Sequence, residues 1–224
     1  MASRPIFLPS DDESSEVIVR TIEFDWIPGL SKSQKLKCVN SLHLSAKSHG
    51  INDILEISSK SDLSLGIELS AFNLLYSFED KFLPVECIFQ SSKVFEEGGP
   101  FEELRYISPR EAKRDERLNS SGDLIGFEFE GIFWEQTPQT AFYDWIYIHA
   151  LSKRHELMEK LKNFSAFTDI EFNPNKQINC QARSVAFFKT LSNRGILEES
   201  LKNQSFFIKN YRNSGETNIQ MKLF

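Results

Sequence analysis

Phenylalanine is the residue that most limits how this chain can fold. Twenty of the 224 residues are Phe, against three Trp and five Tyr. So many large apolar rings need an interior, and a chain of this length can form one in a single domain, or at most in two. We therefore predict a globular domain with an aromatic core, and favour this over a surface on which the rings stack with nucleic-acid bases.

The charge balance limits the kind of partner that the chain can bind. Its formal net charge is −6. Proteins that hold long nucleic acids by releasing counterions usually carry a broad basic surface instead. We therefore expect any contact with nucleic acid to be local, to a single base or a modified nucleotide.

The cysteines and histidines argue against disulfides and metal. Cys38, Cys87 and Cys180 are odd in number and far apart, which favours a reducing compartment. His149 and His155 are six residues apart and would lie on different helix faces, so we predict no metal site and no cofactor. No apolar run is long enough for a membrane span, and the N-terminus lacks the apolar core of a signal peptide. A cytoplasmic protein with no membrane partner is expected.

The local patterns predict an α+β fold, mainly α-helical with a small β-sheet. Val17–Phe24 alternates and is rich in β-branched residues, which is typical of a strand. Ser31 is a good N-cap for a helix over residues 31–48, and Gly50 is suited to follow its end. A short apolar run at residues 54–58 predicts another strand. Further helices are predicted over residues 84–95, 108–119, 140–161, 179–191 and 196–211.

We find no internal repeat and no long linker, so a single domain over residues 1–224 is predicted. Within it we expect an N-terminal extension of about residues 1–50 to pack on a core of residues 51–195 that carries the motifs. A C-terminal helix and tail would occupy residues 196–224.

The predicted helix over residues 84–95 carries the most informative polar side chains. Pro84 is a favourable first residue, and it places Glu86 in the first turn, where the helix dipole favours an ionised carboxylate. At about 100° per residue, Glu86, Gln90 and Lys93 would share one face, with an axial separation of about 10 Å between the two charges. That separation is too long for an ordinary ion pair, so both charges are expected to point at a third object. A solvent-exposed helix face is the alternative.

Two polar loops precede this helix and extend the candidate site. Residues 58–61 read Ser-Ser-Lys-Ser, and residues 69–73 read Leu-Ser-Ala-Phe-Asn. Hydroxyls, backbone N–H groups and the charge of Lys60 are suited to phosphate and sugar groups. Together with the helix, they form a candidate phosphate-and-sugar site within about 40 residues.

The segment LSAFNLLYSFEDKFLPVECIFQSSKVF, residues 69–95, resembles the signature of the NADAR superfamily, the YbiA-like N-glycosidases. That signature is an L-S-N-F stretch followed, after a spacer, by T-V-E-H-x-F-Q-A-x-K-F. The chain departs from it at three positions, with Ala71 in place of Asn, Pro84 in place of Thr and Cys87 in place of His. Ala112-Lys113 and Asp144-Trp145 match later features of the family.

The stretches EISSKS, SAFNL, SSKVFEEGGPFEEL, FYDWIYIHAL and FTDIEFNPNKQINCQARS look like one branch of this superfamily. That branch contains the antitoxins paired with DarT-family toxins, which ADP-ribosylate DNA. The resemblance extends over residues 4–191. It implies a YbiA/NADAR-like fold and hydrolysis of the N-glycosidic bond between ADP-ribose and a guanine base in DNA. The implied partners are ADP-ribosylated DNA, ADP-ribose and the cognate DarT-type toxin.

The resemblance also implies roles for individual residues. Glu86 would stabilise an oxocarbenium-like state or activate water. Lys93 would hold the substrate electrostatically, which we favour, or attack an opened ribose as a Schiff-base nucleophile. The family uses an aspartate in its C-terminal half, and Asp169 is the better match, with Asn179 the alternative. The residues expected to bind substrate are Ser58, Lys60, Ser70, Phe72, Gln90, Trp145 and Arg183.

Structural roles remain open for two of these, since Trp145 could belong to the core and Arg183 to a surface ion pair. Two other functions also remain open. The enzyme could act on a small phosphoribosyl-amine of the riboflavin pathway, or the protein could be a non-catalytic antitoxin that binds ADP-ribose or the toxin.

Overall fold

Short strands and helices alternate along the chain, which a computed structural model describes over residues 1–12, 15–29 and 31–212. The strands are β1 (Ala2–Pro9), β2 (Val17–Phe24), β3 (Ile54–Glu56), β4 (Leu75–Phe78), β5 (Lys81–Pro84), β6 (Lys93–Phe95), β7 (Leu124–Phe129), β8 (Ile132–Glu135) and β9 (Ala166–Thr168). The helices are α1 (Lys32–Ser48), α2 (Ser64–Glu68), α3 (Val85–Ser91), α4 (Pro109–Ala112), α5 (Arg117–Ser120), α6 (Ala141–Ser152), α7 (His155–Leu161), α8 (Gln181–Asn193), α9 (Leu197–Lys202) and α10 (Gln204–Arg212), with a 3-10 helix at Glu102–Tyr106. None of the helices among these residues is long and apolar enough to cross a membrane.

The largest sheet, in the order β2-β1-β9-β3, joins the N-terminal strands to the C-terminal half. β1 pairs antiparallel with β2 along its whole length and also contacts β9. β9 runs parallel to β3, with Glu56 opposite Thr168. Because parallel strands end at the same edge, the loops that follow β3 and β9 emerge side by side. The remaining strands form a β4-β5 hairpin and a β6-β7-β8 sheet.

Helix α1 covers the N-terminal part of the large sheet. Cys38, Val39 and Leu42 of α1 are buried against a cluster that includes Ile6 of β1 and Ile22 of β2. This packing accompanies the hydrogen-bonded contact between β1 and β9. The division into an extension, a motif-bearing core and a C-terminal part stays a prediction, and residues 213–224 of that last part lie outside the described residues.

The aromatic residues form a connected interior. Phe127 of β7 stacks on Phe142 of α6 with ring centroids 4.9 Å apart, and Phe89 of α3 lies 5.4 Å from Phe127. Trp134 of β8 continues the cluster at 5.7 Å from Phe142. Because Phe89 belongs to α3, this cluster anchors the helix that carries Glu86 and Gln90.

The α+β class and several local predictions are confirmed. β2 has the predicted bounds. The α1 helix begins after Ser31, whose side chain forms a capping box with Gln34, and Gly50 follows its end with φ of 80°. Ser108 also makes the predicted capping box with Glu111.

Several predicted helices are shorter than expected. The helix predicted over residues 84–95 ends at Ser91, and Lys93 lies in β6, so the expectation that Lys93 shares a helix face with Glu86 was wrong. The Ser91 and Ser92 hydroxyls both donate to the Ile88 carbonyl, which competes with continuation of the helix. The helices predicted over residues 108–119, 140–161 and 196–211 are each divided into two.

Candidate functional site

A cavity of about 600 Å³ opens beside α3, β6 and the loops that follow β3 and β9. This volume is within the range of about 300–1,000 Å³ that is usual for small-molecule sites. Seven of the predicted site residues line it, and they come from four separate parts of the chain. These residues are Ser58, Ser70, Phe72, Glu86, Gln90, Lys93 and Asp169.

Glu86 is the buried anion of the cavity. Its side chain is 6% exposed, and Lys113 Nζ lies 3.5 Å from its Oε1 atom. Gln90 Nε2 donates to the same oxygen over 2.9 Å. The Glu86 backbone N–H donates to the Ala71 carbonyl, which fixes the start of α3 against the preceding loop. The carboxylate is therefore held in place by α3, by an amide one turn away and by the cation that follows α4.

Gln90 has an unsatisfied acceptor beside this carboxylate. Only 5% of the residue is exposed, and its Oε1 atom has no hydrogen-bond partner among the described residues. Because Nε2 is directed to Glu86, the amide cannot turn over without losing that bond. A buried acceptor without a partner is costly, so a ligand or water that donates to it would be stabilising. Asn179 Oδ1, which belongs to another residue lining the cavity, also has no partner among the described residues.

Lys93 reaches the same cavity from β6. Its Nζ atom lies 5.1 Å from the centroid of the Phe89 ring. Burial lowers the pKa of Lys93; the charge of Glu86 opposes this effect, and Lys113 adds to it. The ammonium of Lys93 is therefore easier to deprotonate than that of an exposed lysine, which matters for any role as a nucleophile.

Asp169 is the second acid in the cavity, directly after β9. Its Oδ1 accepts from the backbone N–H groups of Glu171 and Phe172, and its Oδ2 accepts from Gln181 Nε2 over 3.0 Å. Burial and the neighbouring charge of Glu56 raise the pKa of Asp169 to about 8. Asn179 lines the cavity too, so both candidates for the family's C-terminal acidic position lie at this site.

Ser58, Ser70 and Phe72 line the cavity from its two loops. The side chain of Ser58 is buried, and its hydroxyl donates to Glu56 Oε1 over 2.6 Å. Phe72 is 39% exposed, and Lys113 Nζ lies 5.7 Å from its ring centroid. Phe72 is therefore the most exposed of the aromatic residues that line the cavity.

Three of the predicted substrate-binding residues do not line the cavity. Lys60 is two residues beyond Ser58 and lies outside it. Trp145 packs on Trp134 with ring centroids 5.3 Å apart, inside the aromatic core. Arg183 contacts the carboxylates of Glu16 and Asp144 in a partly buried network.

Other cavity residues were not singled out from the sequence. Lys113 follows the capped helix α4 and belongs to the Ala-Lys pair that matches the family. Tyr143 of α6 also lines the cavity, and burial raises its pKa well above the ordinary value. Gln181 joins two walls, because its Oε1 accepts from the Ala71 N–H while its Nε2 donates to Asp169. No local sequence signal connects residues so far apart. Among the described residues, no cluster of His, Cys, Asp or Glu is arranged to hold a metal ion.

The mixed α+β fold agrees with the fold that the resemblance to the NADAR superfamily implies. A family model described as DarT1-associated NADAR antitoxin matches residues 2–221, which is nearly the whole chain. The chain belongs to this family, as the resemblance at residues 69–95 predicted. No curated protein matches the chain.

Proposed function

We propose that this protein is an N-glycosidase that removes ADP-ribose from guanine bases in DNA. By restoring the base it would act as an antitoxin to a DarT-type DNA ADP-ribosyltransferase, which is its proposed partner. The description of the family supports the antitoxin role. The observation that carries the enzymatic proposal is the presence of Glu86, Lys93 and Asp169 around one cavity of ligand size.

The chemistry follows from the charges that this cavity holds. Cleavage of a bond between C1′ of ribose and a base nitrogen develops positive charge on the sugar and negative charge on the departing base. Glu86, which is held by Gln90 and Lys113, is suited to stabilise the cationic sugar or to take a proton from the attacking water. The hydroxyl of that water bonds to C1′, and a proton passes to the leaving guanine.

Asp169 is suited to supply the proton. Its raised pKa keeps the carboxyl protonated near neutral pH, whereas an ordinary aspartate would be ionised. In this proposal the two acids therefore have different roles, because their surroundings differ. Lys93 holds the negatively charged diphosphate electrostatically, without forming a covalent bond.

The direct test uses an oligonucleotide in which one guanine has been ADP-ribosylated enzymatically. The protein should regenerate the unmodified oligonucleotide and release ADP-ribose, with many turnovers for each protein molecule. A phosphoribosyl-amine tested in parallel should be hydrolysed much more slowly. Rescue that stops at one substrate for each protein molecule would instead indicate a binding antitoxin, and no release of ADP-ribose would refute the glycosidase proposal.

A further inference from the structure

A further buried carboxylate, Glu56, lies behind the cavity wall. It ends β3, is 1% exposed and does not line the cavity. Its Oε1 accepts from the Ser58 hydroxyl over 2.6 Å and from the Ile170 N–H over 2.9 Å. Its Oε2 accepts from the Thr168 hydroxyl over 2.7 Å. Three donors thus converge on one carboxylate inside the protein.

These donors belong to two different loops of the cavity wall. Ser58 follows β3, whereas Ile170 follows β9, next to Asp169. The parallel pairing of β3 with β9 brings the two loops together, and Glu56 bonds to both. His43 of α1 lies behind them, with Nε2 2.8 Å from Thr168 Oγ1. The arrangement therefore joins α1, β3 and β9 to the positions of two cavity residues.

Burying a carboxylate to join two loops has a high cost in free energy. Its desolvation is offset only by well-placed donors, and apolar replacements of buried ionic groups are often at least as stable. Packing alone therefore gives no reason for an acid at this position.

We propose that Glu56 is a positioning residue of the glycosidase: without touching substrate, it fixes the loop that carries Ser58 to the loop that carries Asp169. Its catalytic consequence rests on the proposed function. The arrangement itself can be measured independently of any activity.

The charge of Glu56 affects a quantity that can be measured, the pKa of Asp169. Glu56 raises the pKa of Asp169, in addition to the effect of burial. Tyr143, Tyr147 and Cys180 are uncharged near neutral pH, and burial raises their pKa values further above it. The charged or titratable groups around the two acids, taken from each element packed there, are Arg4 of β1, His43 of α1, Tyr143 and Tyr147 of α6, Glu171 of the loop after β9 and Cys180 before α8.

The main experiment compares the wild type with Glu56→Gln. The amide keeps the shape of the side chain and can still accept at one oxygen, but the charge is gone. Burial raises the pKa of Glu56, while the bonds from Ser58, Ile170 and Thr168 favour its charged form. Removal of this neighbouring like charge should lower the pKa of Asp169. Carbon NMR of aspartate-labelled protein, with Asp169→Asn used to assign the signal, measures this pKa directly. In the activity assay, the alkaline limb of the pH–rate profile should move to lower pH by the same amount, and kcat should fall more than KM changes.

The matched control is Glu16→Gln, the same substitution at another buried glutamate, which is 4% exposed and contacts Arg183. It should leave the titration of Asp169 unchanged. A second variant, Thr168→Val, removes a single donor to Glu56 and is a milder change. Loss of this bond raises the pKa of Glu56, so Glu56 takes a larger share of the proton that the two acids bind. The titration of Asp169 should therefore move in the same direction, and the test does not depend on the folding of Glu56→Gln.

The outcomes separate the two proposals. If Asp169 titrates at the wild-type pH in folded Glu56→Gln or Thr168→Val, the positioning role is overturned. An inactive wild type would refute the glycosidase proposal. The NMR titration of Asp169 would still test the positioning role of Glu56. A loss of activity in Glu56→Gln with an unshifted pH limb would show a merely structural role and would also overturn the inference.

Discussion

Replacement of Glu86 by glutamine is the sharpest test of the proposed chemistry. The amide has nearly the same shape as the carboxylate, and its oxygen can still accept from Gln90 Nε2, the present partner at 2.9 Å. The fold of α3 should therefore be preserved, while the negative charge in the cavity is removed. A thermal unfolding measurement checks the first expectation before any rate is compared.

The size of the effect follows from Coulomb's law. A carboxylate about 4 Å from a full positive charge stabilises it by about 4 kcal/mol at an effective dielectric constant of about 20. This corresponds to about 10³-fold in rate, since each factor of ten requires about 1.4 kcal/mol. Lys113, whose Nζ lies 3.5 Å from Glu86 Oε1, offsets part of the stabilisation. We therefore expect Glu86→Gln to lower kcat by about 10²–10³-fold.

The assay measures initial rates of oligonucleotide repair with Glu171→Gln as the matched control. Glu171 lines the same cavity, but it is 42% exposed and paired with Lys35 at 3.1 Å. This control should stay within about threefold of the wild-type rate, because an exposed charge is well screened. A Glu86→Gln rate within threefold of the wild type, or an equal loss in both variants, would refute the role given to Glu86.

Three further predictions concern Lys93, Arg183 and Asp169. Lys93→Arg keeps the charge but cannot form a Schiff base, so we expect a rate loss of about tenfold or less; a loss near that of Lys93→Ala, or a borohydride-trapped adduct on the wild type, would favour covalent catalysis. Arg183→Met leaves the carboxylates of Glu16 and Asp144 without their cation. It should lower the free energy of unfolding in urea by about 3 kcal/mol and leave the affinity of the folded protein for ADP-ribose unchanged; a loss of affinity without a loss of stability would restore Arg183 as a substrate contact. The folded pKa of Asp169 is about 8, above the ordinary 3.8, so its contribution to stability is complete below about pH 4 and is lost as the pH rises towards 8. Asp169→Asn should therefore flatten the decline in melting temperature between about pH 5 and pH 8, and an unchanged slope would contradict the raised pKa.

The features that could be predicted from the sequence are those determined by a few neighbouring residues. Two helix starts are examples, because each N-cap serine lies three residues before its capping partner. These pairs are Ser31 with Gln34 and Ser108 with Glu111, and both could be predicted from the sequence. The alternating Val17–Phe24 segment likewise contains its own strand signal. The spacing of Glu86, Gln90 and Lys93 pointed to a shared site, although not to the geometry by which Lys93 reaches it.

The features that could not be predicted depend on contacts between distant residues. Lys93 belongs to a strand because β6 pairs with β7, where Lys93 lies opposite Phe127. Glu56 gains its role from β9, which lies more than 100 residues further along the chain. Arg183 contacts Glu16, although the two residues are 167 positions apart in the sequence. Nothing in the local pattern of these residues indicates their partners, because the partners are brought near only by the tertiary fold.

The change from α3 to β6 between Glu86 and Lys93 affects how the motif should be understood. On a continuous helix the two charges would project from successive turns, with their separation set by helical rise. In the fold, Glu86 is anchored by α3 and Lys93 by its pairing with β7, so their relative position is set by two independent supports. The Ser91 and Ser92 hydroxyls, which bond back to the Ile88 carbonyl, mark the junction between them. In this fold the motif is therefore divided between a helix and a strand, and the ammonium and the carboxylate reach one cavity from these two elements.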